Sequence, residues 1–197
     1  MSRIDAATVR DVGHDVHELI PARWSPRAMS GAAIAAADLE RLFEAARWAP
    51  SSYNNQPWVF LYALRDGPDW QRYFDLLVEG NQVWAKHAGA LIVVASRRKT
   101  EDGKDIPTHT FDTGAAWQNL ALQGTAMGLV VHGMAGFDYA AARERLGIPG
   151  DVAVEAMIAV GHPGDPGRLP ESLRGIETPS GRRRIAEFAF AGRFPTP

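Results

Sequence analysis

Residues 49–58 read Ala-Pro-Ser-Ser-Tyr-Asn-Asn-Gln-Pro-Trp, a loop that crowds hydroxyls and carboxamides between two apolar segments. Pro50 and Pro57 hold its backbone, so its polar groups serve either turn chemistry or recognition of a flat polar ring. Turn chemistry accounts for Asn and Pro, and less well for Ser51, Ser52, Asn54 and Gln56 gathered beside Trp58. Upstream, Arg23-Trp24-Ser25-Pro26-Arg27 places Arg23, Ser25 and Arg27 on one side of an extended backbone, because alternate residues point the same way. Two guanidiniums and a hydroxyl so placed suit a phosphate, while a surface turn fixed by Pro26 is the competing reading. Near the other end, Gly181-Arg182-Arg183-Arg184 concentrates cations in a nearly neutral tail, which either a phosphate or plain solvation explains. Asn81 offers a carboxamide to a ring edge or caps a helix. Gly133-Met134-Ala135-Gly136-Phe137 lets backbone N–H groups approach a ligand closely, or is only a flexible turn.

Helices and strands must carry these loops. Val9, Val12, Val16 and Leu19 or Ile20 recur at helical spacing and predict an amphipathic helix over 6–20, stopped by Pro21. A second helix over 33–48 turns Leu39, Leu42, Phe43 and Ala46 to one face and ends before Pro50. Strands follow over 58–64 and 90–95, with a helix over 69–79 between them. Residues 96–107, with Arg97, Arg98, Lys99 and Lys104, form a solvated connector or touch the phosphates of a pyridine nucleotide. A helix over 111–127, rich in Ala, Leu, Gln and Gly, reads as buried nearly all round and ends at Gly128. A strand over 129–132, a helix over 139–146 and a strand over 152–160 complete the body. The Gly- and Pro-dense stretch 161–181 reads as a connector, and 185–190 as a terminal strand. Two helices precede any strand and helix lengths are irregular, which favours an α+β sandwich over a doubly wound sheet. His14 and His17 lie three apart on the first predicted helix, a spacing that can bind a metal, but no third ligand stands near them and the pair reads as part of a solvated helix face, with no metal expected.

Composition excludes several classes. With 197 residues, the chain can bury one core and is expected to form one domain, with a C-terminal extension over about 162–197. Its 21 basic and 23 acidic residues are interspersed, so no long-range field draws in nucleic acid. The absence of cysteine removes disulfides, thiolate metal sites and a cysteine nucleophile together. The charged start, Met1–Asp5, lacks the apolar run of a signal peptide, and the longest apolar run, 88–95, is far short of the ~20 residues that span a bilayer. A cytoplasmic location and no membrane partner are the expectation.

Taken in order, the five motifs resemble those of the FMN-dependent nitroreductase family over about residues 23–194. The resemblance implies an α+β fold with a central, mostly antiparallel sheet flanked by helices, and an intertwined homodimer. By similarity, Arg23, Ser25 and Arg27, with Trp24 between them, would hold the FMN phosphate and pyrimidine edge. Pro50, Ser51, Ser52 and Asn54 would reach the flavin of the partner subunit, and Asn81 would lie beside the pyrimidine O2 and N3. The backbone of Ala135 and Gly136 would sit near N5 and O4, and Arg182 and Arg183 on the phosphate. Relatives often carry Pro at the place of Arg184, leaving open which two of the three arginines act, and some carry Glu at the place of Ala135. Tyr53, Trp117 and Leu120 would line the acceptor side. The implied activity is ping-pong reduction of nitroaromatics, quinones or related electrophiles by NADH or NADPH. Arg27 would stabilise the reduced anion, and no side chain would act as acid or base. Flavin-dependent oxidation, flavin fragmentation and flavin storage are the alternatives.

Overall fold

The computed structural model describes residues 6–195. Four strands, β1 (Trp58–Leu64), β2 (Ala90–Arg97), β3 (Val130–Met134) and β4 (Val152–Gly161), make one antiparallel sheet in the order β1-β2-β4-β3. Strand β2 is apolar from Ala90 to Ala95, where both of its faces are covered. Leu91, Val93 and Ala95 enter one core layer, and Ala90, Ile92 and Val94 the other. That is the period-two alternation of a pleated strand. Register between β2 and β4 shifts at Val94/Ala95, so that Val94 faces Ala156 and Ala95 faces Val154. Glu155 is the extra residue of this bulge, which redirects its carboxylate to accept from Ser96 Oγ (2.5 Å) and Thr110 Oγ1 (2.9 Å).

One face of the sheet is covered by α3 (Ala36–Arg47) and α6 (His109–Ala126), through Leu39, Leu42 and Ala46 on the first and Ala116, Leu120 and Ala121 on the second. The other face receives Tyr73 of α4 (Trp70–Phe74), Trp84 and Ala85 of α5 (Glu79–Ala85), and Ala142 of α7 (Tyr139–Arg145). Helix α6 ends where Gly128 takes a left-handed φ of 73°, a conformation that glycine adopts without steric cost.

Four segments depart from the sequence reading. The predicted helix over 6–20 is two single turns, α1 (Ala6–Val9) and α2 (Leu19–Ala22), separated by irregular chain. Val9, Val12, Val16 and Ile20 are exposed, so no packed face supports a long helix there, and Gly13 interrupts it. Pro21 does not stop a helix but sits inside the first turn of α2, where its missing N–H costs nothing. The helix over 69–79 divides into α4 and α5, because Leu77 leaves the helix to bridge Phe137. Helix α6 is not buried all round: Gly114 is exposed and Phe111 is 81% exposed. The predicted strand over 185–190 is a 3-10 turn over Ile185–Glu187 followed by irregular chain, pairing with neither sheet edge. Thr196 and Pro197, the last of the expected extension, and the Met1–Asp5 segment lie outside the described residues. Among those described, no helix is long and apolar enough to cross a membrane.

Candidate functional site

The chain leaving α2 runs extended from Arg23, where φ is −70° and ψ 119°. Arg23 Nη1 donates to Ser25 Oγ at 3.4 Å, as the alternate-residue argument requires. This stretch forms one wall of a cleft of about 300 Å³, lined by Arg23, Trp24, Ser25 and Arg27. His132 and Gly133 of β3 form its floor, and Thr178, Ser180 and Arg182 close it from the C-terminal segment. Ile176 and Arg10, which no motif singled out, complete the lining.

Charge in the cleft is one-sided. Among the described residues no carboxylate pairs with Arg10, Arg23 or Arg182. Burial first, and then the guanidinium of Arg182, lowers the pKa of Arg23, and burial with Arg182 and Arg23 does the same for Arg10. Converging guanidiniums with no counter-charge make an anion site. Arg27 is different: its side chain meets Glu177 at 3.7 Å.

Glu177 is the fastener of this wall. The carboxylate is buried and Oε1 accepts from the backbone N–H groups of Arg27 (2.6 Å) and Ala28 (2.8 Å). It thereby pins the C-terminal segment to the Arg-Ser-Arg stretch across about 150 positions of sequence. Beneath, His132 Nδ1 donates to the Pro26 carbonyl at 2.9 Å and its ring meets Trp84 at 4.6 Å between centroids. Burial pushes the His132 pKa down to about 4, so the imidazole is neutral at physiological pH with its proton on Nδ1.

A second group assembles around the turn after β3. Asn81, on α5, donates from Nδ2 to the Gly136 carbonyl at 2.9 Å, and Val78 N–H donates to the same oxygen at 3.1 Å. Asn81 is therefore a cross-element tie rather than a cap. A Cβ added at Gly136 would stand 2.7 Å from Asn81 Nδ2 and 3.0 Å from Val78 Cγ2, so a side chain there would have to push the Asn81 carboxamide off its bond to the Gly136 carbonyl. The Ala135 side is exposed, leaving the turn open to a ligand.

The 50–58 loop stands apart. Tyr53, Asn54 and Gln56 all have positive φ (49°, 56° and 46°), a strained backbone for non-glycine residues. Among the bonds that hold it, Gln56 N–H donates to Ser51 Oγ at 3.0 Å, Ser52 N–H donates to the buried carboxylate of Asp112 at 3.1 Å, and Arg97 N–H donates to the Pro57 carbonyl at 2.8 Å. Tyr53 is 97% exposed, Pro50 and Asn54 are exposed, and none of Pro50–Asn54 lines the cleft. Trp117 packs its indole on Gly133, which also lines the cleft, and its buried Nε1 has no hydrogen-bond partner among the described residues. Leu120 is enclosed in the core and offers no surface to a ligand within the chain.

Remaining candidates separate as well. Arg183, like Arg182, is exposed, but it does not line the cleft. Lys99 pairs with Asp105 (2.7 Å) and Lys104 with Asp102 (2.6 Å), so two cations of the 96–107 loop are neutralised locally, as in a connector. A wider recess of about 430 Å³ lies between α3 and the end of α6, away from every motif, and its Arg41 is 3.5 Å from Asp38. His14 and His17 are not on a helix, and among the described residues no cluster of three or more metal-ligating side chains exists. Sequence reasoning missed Arg10, His132 and Glu177. Each acts through chain-distant contacts, and none carries a local signature.

Comparison with known proteins adds independent findings. A family model described as the nitroreductase family matches residues 20–83 and 64–162. A crystal structure of an oxidoreductase containing FMN superposes with a TM-score of 0.92 at 42% identity, covering 99% of each chain. A provisionally named nitroreductase solved in complex with FMN, from Desulfovibrio desulfuricans, gives 0.70 at 27% identity, over 90% of this chain and 96% of that one. An Archaeoglobus fulgidus protein provisionally named an NADH dehydrogenase/NAD(P)H nitroreductase is 28% identical over 152 residues, 75% of this chain and 85% of its own.

Proposed function

Since the chain belongs to the nitroreductase family, we propose that it is an FMN-dependent oxidoreductase in which NADH or NADPH drives the two-electron, ping-pong reduction of nitroaromatics, quinones or related electrophiles. The observation that carries this reading is the cleft where Arg23 and Arg182, distant in sequence, converge with no carboxylate between them. A phosphomonoester dianion supplies the missing charge. In this reading Arg23 and Arg182 hold the phosphate, Arg183 stands beside them, and Trp24, Ser25 and Arg27 lie toward the pyrimidine. Asn81, Ala135 and Gly136 present polar groups to the ring edge, with Gly136 keeping side-chain bulk away. Bound FMN supplies the electron-transfer chemistry, so the protein's task is to bind and orient it.

The outward-facing loop gives the reading its second half. Pro50, Ser51, Ser52 and Asn54 are assigned to the flavin of a partner subunit, with Tyr53 and Trp117 on its acceptor side. Support comes from apolar side chains that a soluble monomer has no reason to expose, among them Tyr53 at 97%, Phe111 at 81% and Phe194 at 85%. A homodimer that covers them completes the site. The test is an absorbance spectrum of the FMN-loaded protein before and after each nucleotide, followed by turnover with nitroaromatic and quinone acceptors. Bleaching by NADH or NADPH and recovery on adding acceptor is the expected result. Flavin that neither nucleotide reduces would reject the reductase assignment.

A further inference from the structure

Arg10 lies on the irregular chain after α1 and ties three segments together. Nη1 donates to the carbonyls of Pro21 (2.6 Å) and Arg23 (2.8 Å), and Nε donates to the carbonyl of Ser180 (3.2 Å). Ser180 is 170 positions away and next but one to Arg182, so the contact joins the beginning of the described chain to its C-terminal segment. Neutral carbonyls leave the guanidinium charge in place, beside those of Arg23 and Arg182 in the same cleft. Like charges gathered in a partly buried site repel, and an anion among them turns the repulsion into a shared attraction.

We propose that Arg10 is a positioning residue for the phosphate end of the cofactor cleft, holding the Arg23 stretch against the Ser180–Arg182 segment and adding a third positive charge to the anion site. This rests on the reading of the cleft as an FMN site. A purely structural clamp would support every flavin equally, whereas a charge-bearing latch favours the flavin that carries a phosphate.

The experiment is equilibrium binding of FMN and of riboflavin, by flavin fluorescence quenching, to the full-length protein and to Arg10→Gln and Arg10→Lys. Arg10→Gln is expected to weaken FMN binding about tenfold or more while riboflavin changes by less than about twofold. Arg10→Lys keeps the charge but cannot span three carbonyls, so its FMN affinity falls between the other two. Equal losses for both flavins, or unchanged FMN affinity in Arg10→Gln, would overturn the inference and leave the FMN reading standing. A wild-type protein that binds neither flavin would overturn both.

Discussion

Replacing Glu177 tests how the cleft wall is held. In the folded protein one carboxylate oxygen receives the N–H groups of Arg27 and Ala28 at 2.6 and 2.8 Å, and the carboxylate is almost fully enclosed. Hydrogen bonds to a charged acceptor contribute about 1.5–3 kcal/mol each, and a buried donor left unpaired costs about 1–3 kcal/mol. Arg27 is partly exposed, so water reaches its end of the wall and reduces the total. Glu177→Ala should therefore destabilise the protein by about 2–4 kcal/mol. Glu177→Gln keeps an oxygen for both N–H groups and loses only charge, including the 3.7 Å pairing with Arg27, so it should cost about 1 kcal/mol. Urea unfolding gives both values, and FMN titration gives the consequence for the cleft, with the Ala variant binding more weakly than the Gln variant. Equal effects of the two substitutions, or an Ala variant within about 0.5 kcal/mol of wild type, would refute the hydrogen-bonded fastener.

Other outcomes follow from the same geometry. Gly136→Ala forces a Cβ to 2.7 Å from Asn81 Nδ2, and should cost about 1–3 kcal/mol in urea unfolding and weaken FMN binding together. His132 takes a proton only near pH 4 when folded but near its ordinary 6.5 when unfolded, so protons favour the unfolded chain between those values. Its contribution is complete above pH 6.5 and falls by about 3 kcal/mol as pH drops toward 4; His132→Asn, measured by unfolding across that range, should flatten the slope. Arg23→Ala and Arg182→Ala should each weaken FMN binding by about 1.5–3 kcal/mol in a fluorescence titration. In the proposed dimer, pairing one Asn54→Ala subunit with one wild-type subunit should impair one flavin site of two, as measured by flavin retention.

Much of the fold was legible because the sheet obeys local rules. The strand over 58–64 and the one beginning at Ala90 are where their continuous apolar runs place them, and α3 buries the face its spacing indicates. The failures share a physical cause. Val9, Val12 and Val16 repeat with helical spacing, and the 185–190 segment reads as a strand, but both segments lie on the outside of one chain, with no core or strand edge to reward the pattern. Periodicity reports that an apolar face exists, not what covers it.

The site divides in the same way. Arg23, Ser25, Arg27 and Arg182 line one cleft, and Asn81 bonds to Gly136, so residue type and order picked out side chains that the fold brings together. Glu177 was hidden because it sits in a Gly- and Pro-dense stretch whose composition says connector, while its function is to bond backbone about 150 positions away. His132 was hidden because burial, rather than any neighbour in sequence, fixes its protonation. Leu120 was misjudged for the opposite reason: its place on α6 suggested a lining residue, but that position faces the sheet.

Whether the arginine cleft holds a flavin phosphate is read most simply from flavin retention. Purified protein incubated with FMN or with riboflavin, then desalted, should keep one FMN per chain and lose riboflavin. Protein that emerges colourless from both incubations would contradict that placement of the phosphate.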